Sequence, residues 1–287
     1  MLQAALKARR LVAFSKERVG GLARLEGCGG EQQKQRIVPA IIPQAALLPE
    51  AVCAAANEGG WSLRSRLGLR PGDWLLLLPL GLRRVKDPLF LLDAAAAWHA
   101  EDSRAHLLLV GPALEPACSA ATLAHLGLLT GGSGDGEAGA EVLALPSEEQ
   151  SAALLRATGV SYLAPLSRER LLLSMREADA VVNSSVSEGM SNALLEAMAV
   201  GTPLLVRRNA GNESLVKGGE TGLLFDSAEE FVHQARRLLG GAAAGELGLA
   251  ARLVAGAGAF VIEKHGVEAE LRSYTELVGS VVPATKE

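Results

Sequence analysis

The sequence has few aromatic residues and no basic surplus, and both shortages exclude classes of function. Phe, Trp and Tyr make up 3% of the 287 residues, which argues against the stacking surfaces that hold single-stranded nucleic acid. The formal net charge is −4, whereas nonspecific binding to nucleic acid needs a strong excess of Lys and Arg. We therefore expect no nucleic-acid partner.

Cysteines and long apolar runs are also scarce. Cys28, Cys53 and Cys118 are widely separated and show no CxxC or Cys/His spacing, so we interpret them as reduced thiols in a reducing compartment. Apolar runs such as Trp74–Leu78 are far too short to cross a bilayer, and the first residues lack a signal-peptide pattern. We expect a soluble, cytoplasmic protein without a transmembrane segment.

Apolar residues make up 49% of the chain and recur in runs of strand length. These runs are Leu11–Phe14, Ile37–Ile42, Trp74–Leu80, His106–Val110, Glu141–Leu145, Val160–Ala164, Ala180–Asn183, Pro203–Val206 and Gly222–Phe225. Helical patterns lie between most of them: Pro88–His99, Ser147–Ala157, Arg168–Ala178, Asn192–Val200 and Ala228–Leu239. Strands that alternate with helices predict an α/β fold with a doubly wound parallel sheet.

Residues at the ends of these patterns predict where helices begin and end. Asp87-Pro88 is typical of an N-cap followed by the first helical position, and Ser147 precedes two acidic residues in the same way. Gly201 follows a helical pattern and is itself soon followed by Pro203, which predicts a helix end. The glycine-rich segment 129–140 is interpreted as a flexible surface loop.

A basic loop follows the predicted strand Trp74–Leu80. It begins with Gly81 and carries Arg83, Arg84 and Lys86 just before a predicted helix. Ligands of open parallel sheets lie beyond the carboxyl ends of the strands, where such cations can neutralise a pyrophosphate. A solvated basic turn is the alternative interpretation.

A second loop, after the strand Ala180–Asn183, carries two glutamates eight residues apart. Glu188 lies in the loop, and Glu196 lies in an otherwise apolar helix, where an unpaired acid is costly to bury. Gly189 permits close approach of a ligand, and Ser191-Asn192 favour a helix start with free backbone N–H groups. The pattern suits a phosphorylated sugar, with amides for phosphate and carboxylates for hydroxyls.

Asn183 is placed to shape this loop through side-chain hydrogen bonds. Glu213 is either an acid that supports the site or a first-turn residue of a short helix, and the sequence leaves both possibilities open.

These residues resemble the donor-binding core of retaining GT-B glycosyltransferases that carry an E-x7-E motif. The resemblance rests on the run Ser187–Ala199 with Gly201-Thr202-Pro203, on Glu213, on Thr221–Phe225, on Leu80–Pro88 and on Gly111. It implies a Rossmann-like C-terminal domain of a GT-B fold with a truncated N-terminal domain. Residues 1–45 would be a remnant of the acceptor domain, residues 46–265 the nucleotide-sugar domain, and residues 266–287 a helix crossing back toward the N-terminal side.

The resemblance also implies roles for the residues of both loops. Glu196 would hold the ribose hydroxyls and Glu188 a hydroxyl of the donor sugar, while Lys86 and either Arg83 or Arg84 would bind the diphosphate. The remaining donor-binding positions it implies are Gly81, Gly189, Met190, Ser191 and Asn192.

The implied activity is transfer of a hexosyl-type sugar from a nucleotide-diphosphate sugar to an unknown acceptor, with retention of configuration. The resemblance implies that no cofactor and no metal take part, and the absence of a His/Asp ligand cluster from the sequence agrees with this. Two alternatives stay open: a noncatalytic nucleotide-sugar-binding module lacking the acceptor domain, and a related fold that isomerises a nucleotide sugar.

Overall fold

A computed structural model of the chain describes residues 12–13, 40–41, 60–128, 144–240 and 248–281. The predicted loop 129–140 and the first part of the predicted strand Glu141–Leu145 lie outside these residues, as do Cys28 and Cys53. Leu145 itself lies in no strand. Cys118 is a free, half-buried thiol.

The described elements alternate along the chain as the sequence predicts. The strands are β1 (Val12–Ala13), β2 (Ala40–Ile41), β3 (Trp74–Pro79), β4 (Ala105–Val110), β5 (Val160–Leu163), β6 (Ala180–Asn183), β7 (Leu204–Arg207) and β8 (Leu223–Phe225). The helices are α1 (Leu63–Leu67), α2 (Leu92–Glu101), α3 (Pro116–His125), α4 (Glu148–Thr158), α5 (Arg168–Glu177), α6 (Asn192–Val200), α7 (Ala210–Leu215), α8 (Ala228–Leu239), α9 (Leu249–His265) and α10 (Val267–Val281).

Six of the strands form one parallel sheet in the order β5-β4-β3-β6-β7-β8, and β1 pairs with β2 in a separate parallel ribbon. The chain moves outward from β3 to β5, then returns to the middle and moves the other way from β6 to β8. The predicted doubly wound α/β fold is therefore confirmed. The strand order reverses between β3 and β6, which is where open α/β sheets place ligands.

Successive residues of each strand point to opposite faces of the sheet, and both faces are covered by helices. Leu76 and Leu78 of β3 pack with α2, α3 and α8 in one cluster, whereas Leu75 and Leu77 pack with α1, α4, α5 and α6 in the other. Strands buried on both sides need apolar residues at every position, which explains the uninterrupted leucines of β3.

Several predicted helix ends are confirmed. Ser147 caps α4 with a complete capping box, and Gly201 ends α6 in the left-handed conformation at φ 79°. The predicted cap at Asp87-Pro88 is wrong. Asp87 ends a short 3-10 turn (Arg84–Lys86) with φ 45°, and α2 begins four residues later than the predicted Pro88 start, at Leu92.

Three helices, α1, α3 and α9, were not predicted, and α7 is the short helix that was one of the two possibilities left open for Glu213. The helix that the resemblance implies within residues 266–287 is present as α10. Within the described ranges, no helix combines the length and apolar character needed to cross a membrane.

Candidate functional site

The loops that follow β3 and β6 are joined to each other at the point where the strand order reverses. The backbone N–H of Val186 donates to the carbonyl of Val85 over 2.9 Å. The hydroxyl of Ser184 donates to the carbonyl of Lys86 over 2.8 Å. Two loops far apart in sequence therefore meet at the carboxyl edge of the sheet.

An ion pair between Lys86 and Glu188 crosses this junction. The side chains are 18% and 9% exposed, so both charges are largely removed from water. The same carboxylate oxygen of Glu188 also accepts hydrogen bonds from the Ser185 hydroxyl at 2.7 Å and from Asn183 Nδ2 at 3.1 Å. The predicted role of Asn183 in shaping the loop is confirmed.

The pKa of Glu188 lies below its ordinary value. Burial by itself would raise that pKa, but the hydrogen bonds from Lys86, Ser185 and Asn183 and the charge of Lys86 outweigh burial. Glu188 is therefore a carboxylate at neutral pH, ready to accept hydrogen bonds.

A second ion pair joins the β3 loop to the end of β7. The Arg207 guanidinium contacts Asp87 Oδ2 at 2.7 Å, donates to the carbonyl of Ser184 at 3.1 Å and lies 3.7 Å from the centre of the Phe90 ring. Asp87 is the one non-glycine residue with positive φ among the residues that the structure describes. Aspartate tolerates this conformation better than most residues, and Arg207 holds the carboxylate in place.

Helix α7 packs directly against the loop that carries Glu188. A Cβ added to Gly211 would lie 2.0 Å from the carbonyl oxygen of Glu188, so glycine is required for this approach. Asn209, which caps α7, donates to the carbonyl of Ser185 over 2.9 Å. The loop that carries Glu188 is therefore contacted both by α7 and by the β3 loop.

Glu196 lies on α6 away from Glu188 and is paired differently. Its carboxylate is 17% exposed and contacts Arg168, the first residue of α5, at 3.0 Å. The sequence predicted a ligand hydroxyl as the partner of this acid, and the structure shows a guanidinium. Ser191 is the N-cap of α6, but its side chain makes no capping hydrogen bond.

The structure thus brings Lys86 and Glu188 together and places Glu196 in a separate pair. Arg83 and Arg84 are both exposed, and the backbone N–H of Arg84 donates to Glu115. Gly81, Gly189, Met190 and Asn192 lie in the predicted positions after β3 and at the start of α6. Glu213 is half-exposed and pairs with Arg208, so it is a surface residue of a short helix.

Sequence reasoning missed Ser185, Asp87, Arg207 and Arg168. Arg207 had a usable signal, because a cation directly after the buried run Leu204–Val206 marks the carboxyl end of a strand. Asp87 and Arg168 depend on contacts with residues distant in sequence, which spacing does not reveal, whereas Ser185 bonds Glu188 within a single loop.

A cavity of about 580 Å³ lies elsewhere, beside the edge strand β8. It is lined by Arg208, Glu213, Lys217, Glu230 and Arg237 among others. Arg208 there is bound to both Glu213 and Asp226 at an exposed surface. We place the candidate site at the strand reversal instead, because partly buried charged side chains from the β3 loop, the β6 loop and the end of β7 converge there. No group of three or more potential metal ligands occurs in the described part of the chain.

Comparison with known sequences shows that part of this chain matches a known family. Residues 128–240 match the family model "Glycosyl transferases group 1". Glycosyltransferase 1 domain-containing protein 1 of Xenopus tropicalis is 32% identical over 204 residues, which are 71% of this chain and 50% of that protein. D-inositol 3-phosphate glycosyltransferase of Rhodococcus jostii is 32% identical over 165 residues, which are 57% of this chain and 31% of that protein.

Solved structures show the same fold. HepE of Anabaena in complex with UDP matches with a TM-score of 0.64 and 18% identity, covering 95% of this chain and 64% of that one. Sucrose-phosphate synthase of Thermosynechococcus elongatus matches with a TM-score of 0.63 and 19% identity, covering 96% and 59%. The predicted resemblance to group 1 glycosyltransferases and to the GT-B fold is confirmed, whereas retention of configuration and the role of the E-x7-E motif stay predictions. The chain spans half the length of its first curated relative and about a third of the second.

Proposed function

We propose that this chain, which carries a domain of the glycosyl transferases group 1 family, binds a nucleotide-diphosphate sugar at the carboxyl edge of the sheet, where the β3 and β6 loops meet, and transfers the sugar to an acceptor. The observation that carries the proposal is the largely buried Lys86–Glu188 pair at the reversal of strand order. A related structure holds UDP and another from the same protein holds UDP-glucose, which supports a nucleotide sugar as the donor.

Donor binding would exchange partners within the ion pair. A diphosphate bearing two negative charges is a stronger partner for Lys86 than one carboxylate, and Arg83 or Arg84 lies exposed on the same loop to join it. Glu188 would then turn to a hydroxyl of the sugar while it keeps Ser185 and Asn183. The N–H groups of Gly189, Met190, Ser191 and Asn192 would face the sugar or distal phosphate.

The ribose would lie at Glu196, where its two hydroxyls would compete with Arg168 for the carboxylate. This exchange keeps the acid paired both before and after binding, so no uncompensated charge is buried at any stage.

For the chemistry we propose transfer of a hexosyl-type sugar with retention and without a metal. The bond between the anomeric carbon and the diphosphate oxygen breaks, the acceptor oxygen bonds to the same face, and its proton passes to the departing phosphate. Lys86, Arg83 and the start of α6 would stabilise the negative charge that develops on the leaving group. Addition of EDTA is expected to leave the rate unchanged.

The test uses labelled UDP-glucose, UDP-N-acetylglucosamine and GDP-mannose with the purified chain. Slow donor hydrolysis, with the α anomer released first from an α-linked donor, supports a retaining transferase. An initial β product would contradict retention. Absence of both binding and hydrolysis for every donor would overturn the proposal.

A noncatalytic module that binds a nucleotide sugar is the second candidate. If the chain is such a module, calorimetry should show that it binds UDP or a UDP-sugar, and no turnover should be detected. We also propose domain boundaries after residues 45 and 265, an acceptor of unknown identity and a cytoplasmic location. Exposed Val267, Leu271 and Tyr274 of α10 agree with a helix that meets a further surface.

A further inference from the structure

Two buried asparagines connect α7 to the carboxylate of Glu188. Asn183 is the last residue of β6 and is buried, and Asn212 on α7 is 0% exposed. Asn212 Nδ2 donates to Asn183 Oδ1 over 3.1 Å, and Asn183 Nδ2 donates to Glu188 Oε1 over 3.1 Å. The two amides thus form a continuous chain of hydrogen bonds that ends on the predicted sugar-binding acid.

The neighbouring groups fix which way each amide points. Asn183 Oδ1 also accepts the backbone N–H of Ser185 at 3.0 Å, so the oxygen has two donors on that side. Asn212 Nδ2 also donates to the carbonyl of Arg207 at 2.9 Å. A reversed amide at either position would oppose oxygen to oxygen, and the N–H of Asn183 is therefore held toward Glu188.

We infer that Asn183 and Asn212 are positioning residues that hold the Glu188 carboxylate in place for the donor sugar while Lys86 leaves it for the diphosphate. The inference rests on the proposed function for the identity of the ligand. Lys86 cannot serve both groups at full strength, so Glu188 needs partners that stay when the cation moves. Asn183 and Ser185 are these partners, and Asn212 keeps Asn183 in the required orientation.

The surroundings of Glu188 make this dependence measurable. Lys86 is the charged group that faces it from the β3 loop. From α7 it meets Gly211 and, through Asn183, Asn212, neither of which titrates. Glu213 of the same helix turns to Arg208. A change in the titration of Glu188 in an asparagine variant would therefore report on the amide chain.

The decisive variant is Asn183→Asp, which keeps the shape but replaces the N–H facing Glu188 with a carboxylate oxygen. Two carboxylates at this distance share a proton and titrate as a pair. Carbon-13 NMR of glutamate δ-carbons, with the Glu188 signal assigned from Glu188→Gln, should show titration moving to higher pH. Calorimetry should show affinity for UDP-glucose falling roughly tenfold at pH 7.5 and partly recovering at pH 5.5, where the shared proton restores a donor.

A second variant, Asn212→Ala, adds no charge and is expected to shift the same signal by a smaller amount. The matched control is Thr202→Val, which removes a buried hydroxyl that donates to the Met175 carbonyl at 2.7 Å. It should lower the melting temperature without moving the Glu188 signal.

The two proposals fail in different ways. An unchanged Glu188 titration in both asparagine variants would overturn the positioning role, whatever the ligand. Absence of UDP-glucose binding by the unmodified chain, together with the expected shift in titration, would count against the proposed donor and leave the positioning of Glu188 supported.

Discussion

Near the amino ends of the strands, Asp73 and Asp179 accept hydrogen bonds from the backbone as well as from side chains, whereas Glu188, at the carboxyl ends, is held by side chains alone. Asp179 accepts the N–H of Leu75 at 2.8 Å, and Asp73 accepts the N–H of Arg70 at 2.8 Å. Glu188 is bound instead by Lys86, Ser185 and Asn183. Both ends carry many charged residues, but the two hydrogen-bond networks differ in which donors can move away from the carboxylate.

A backbone donor cannot leave its acceptor without disturbing the strand, while a side chain can rotate away. The amino-end carboxylates therefore stabilise the fold, and the carboxyl-end groups can exchange protein partners for ligand partners. This difference separates a structural network from a candidate binding site more clearly than charge or burial does.

The sharpest way to break the carboxyl-end network is Gly211→Ala. The new Cβ would lie 2.0 Å from the Glu188 carbonyl oxygen, so the loop must move. We expect loss of measurable binding of UDP-glucose and about 1–3 kcal/mol lower stability. Gly258→Ala is the control, since nothing lies within 4 Å of its added Cβ in α9, and it should stabilise the helix by about 0.5–1 kcal/mol. Equal binding by both variants would contradict the packing role of α7.

Separate variants distinguish the two halves of the donor site. Lys86→Met should weaken UDP and UDP-sugars roughly ten- to a hundredfold and uridine much less, because it removes a charge-assisted contact to phosphate. Glu196→Ala should weaken uridine and UDP by similar factors, since both carry the ribose. Calorimetry with the three ligands checks this, and unchanged affinities in both variants would refute the assignments.

The amino end should behave in the opposite way. Asp179→Asn weakens the acceptor of the Leu75 N–H and removes the charge that pairs with Arg64 at 3.0 Å. We expect stability to fall by about 1–3 kcal/mol in denaturant unfolding, with donor affinity within twofold of the unmodified chain. A large loss of affinity at unchanged stability would erase the distinction between the two ends.

The smallest expected effect is the dependence of folding stability on pH that comes from His106. His106 is buried beside the ring of His99, and burial lowers its pKa below the ordinary value of 6.5. The unfolded chain then binds more protons than the folded chain, so stability declines as pH falls below about 6.5. His106→Gln should flatten this part of the stability curve measured between pH 7.5 and 5. An identical slope would assign it to other groups.

Sequence reasoning found the features that local residues encode. The sheet followed from apolar runs, and the ends of α4 and α6 followed from Ser147 and Gly201. Helix α9 was missed because Gly256 and Gly258 interrupt its pattern. Gly256 is needed where a Cβ would lie 2.2 Å from the carbonyl of Glu220. Tertiary packing overrode local preference there.

The candidate site likewise has features that the sequence could predict and features that it could not. Lys86 and Glu188 could be predicted to be close, because their loops leave adjacent strands at the same edge. Arg168 as the partner of Glu196 could not, since it depends on how α5 meets α6. The left-handed conformation of Asp87 could not be predicted for two reasons. The sequence Asp87-Pro88 is typical of a helix start, and Arg207, which binds the Asp87 carboxylate, belongs to another strand.

The central claim is that a nucleotide sugar binds where the strand order reverses. Hydrogen–deuterium exchange with and without UDP-glucose tests it on the unmodified chain. The account predicts slower exchange in residues 81–87 and 184–192, with the amino-end segments around Asp73 and Asp179 unchanged. Protection beside β8, in the cavity lined by Arg208 and Lys217, with none in the two loops, would contradict it.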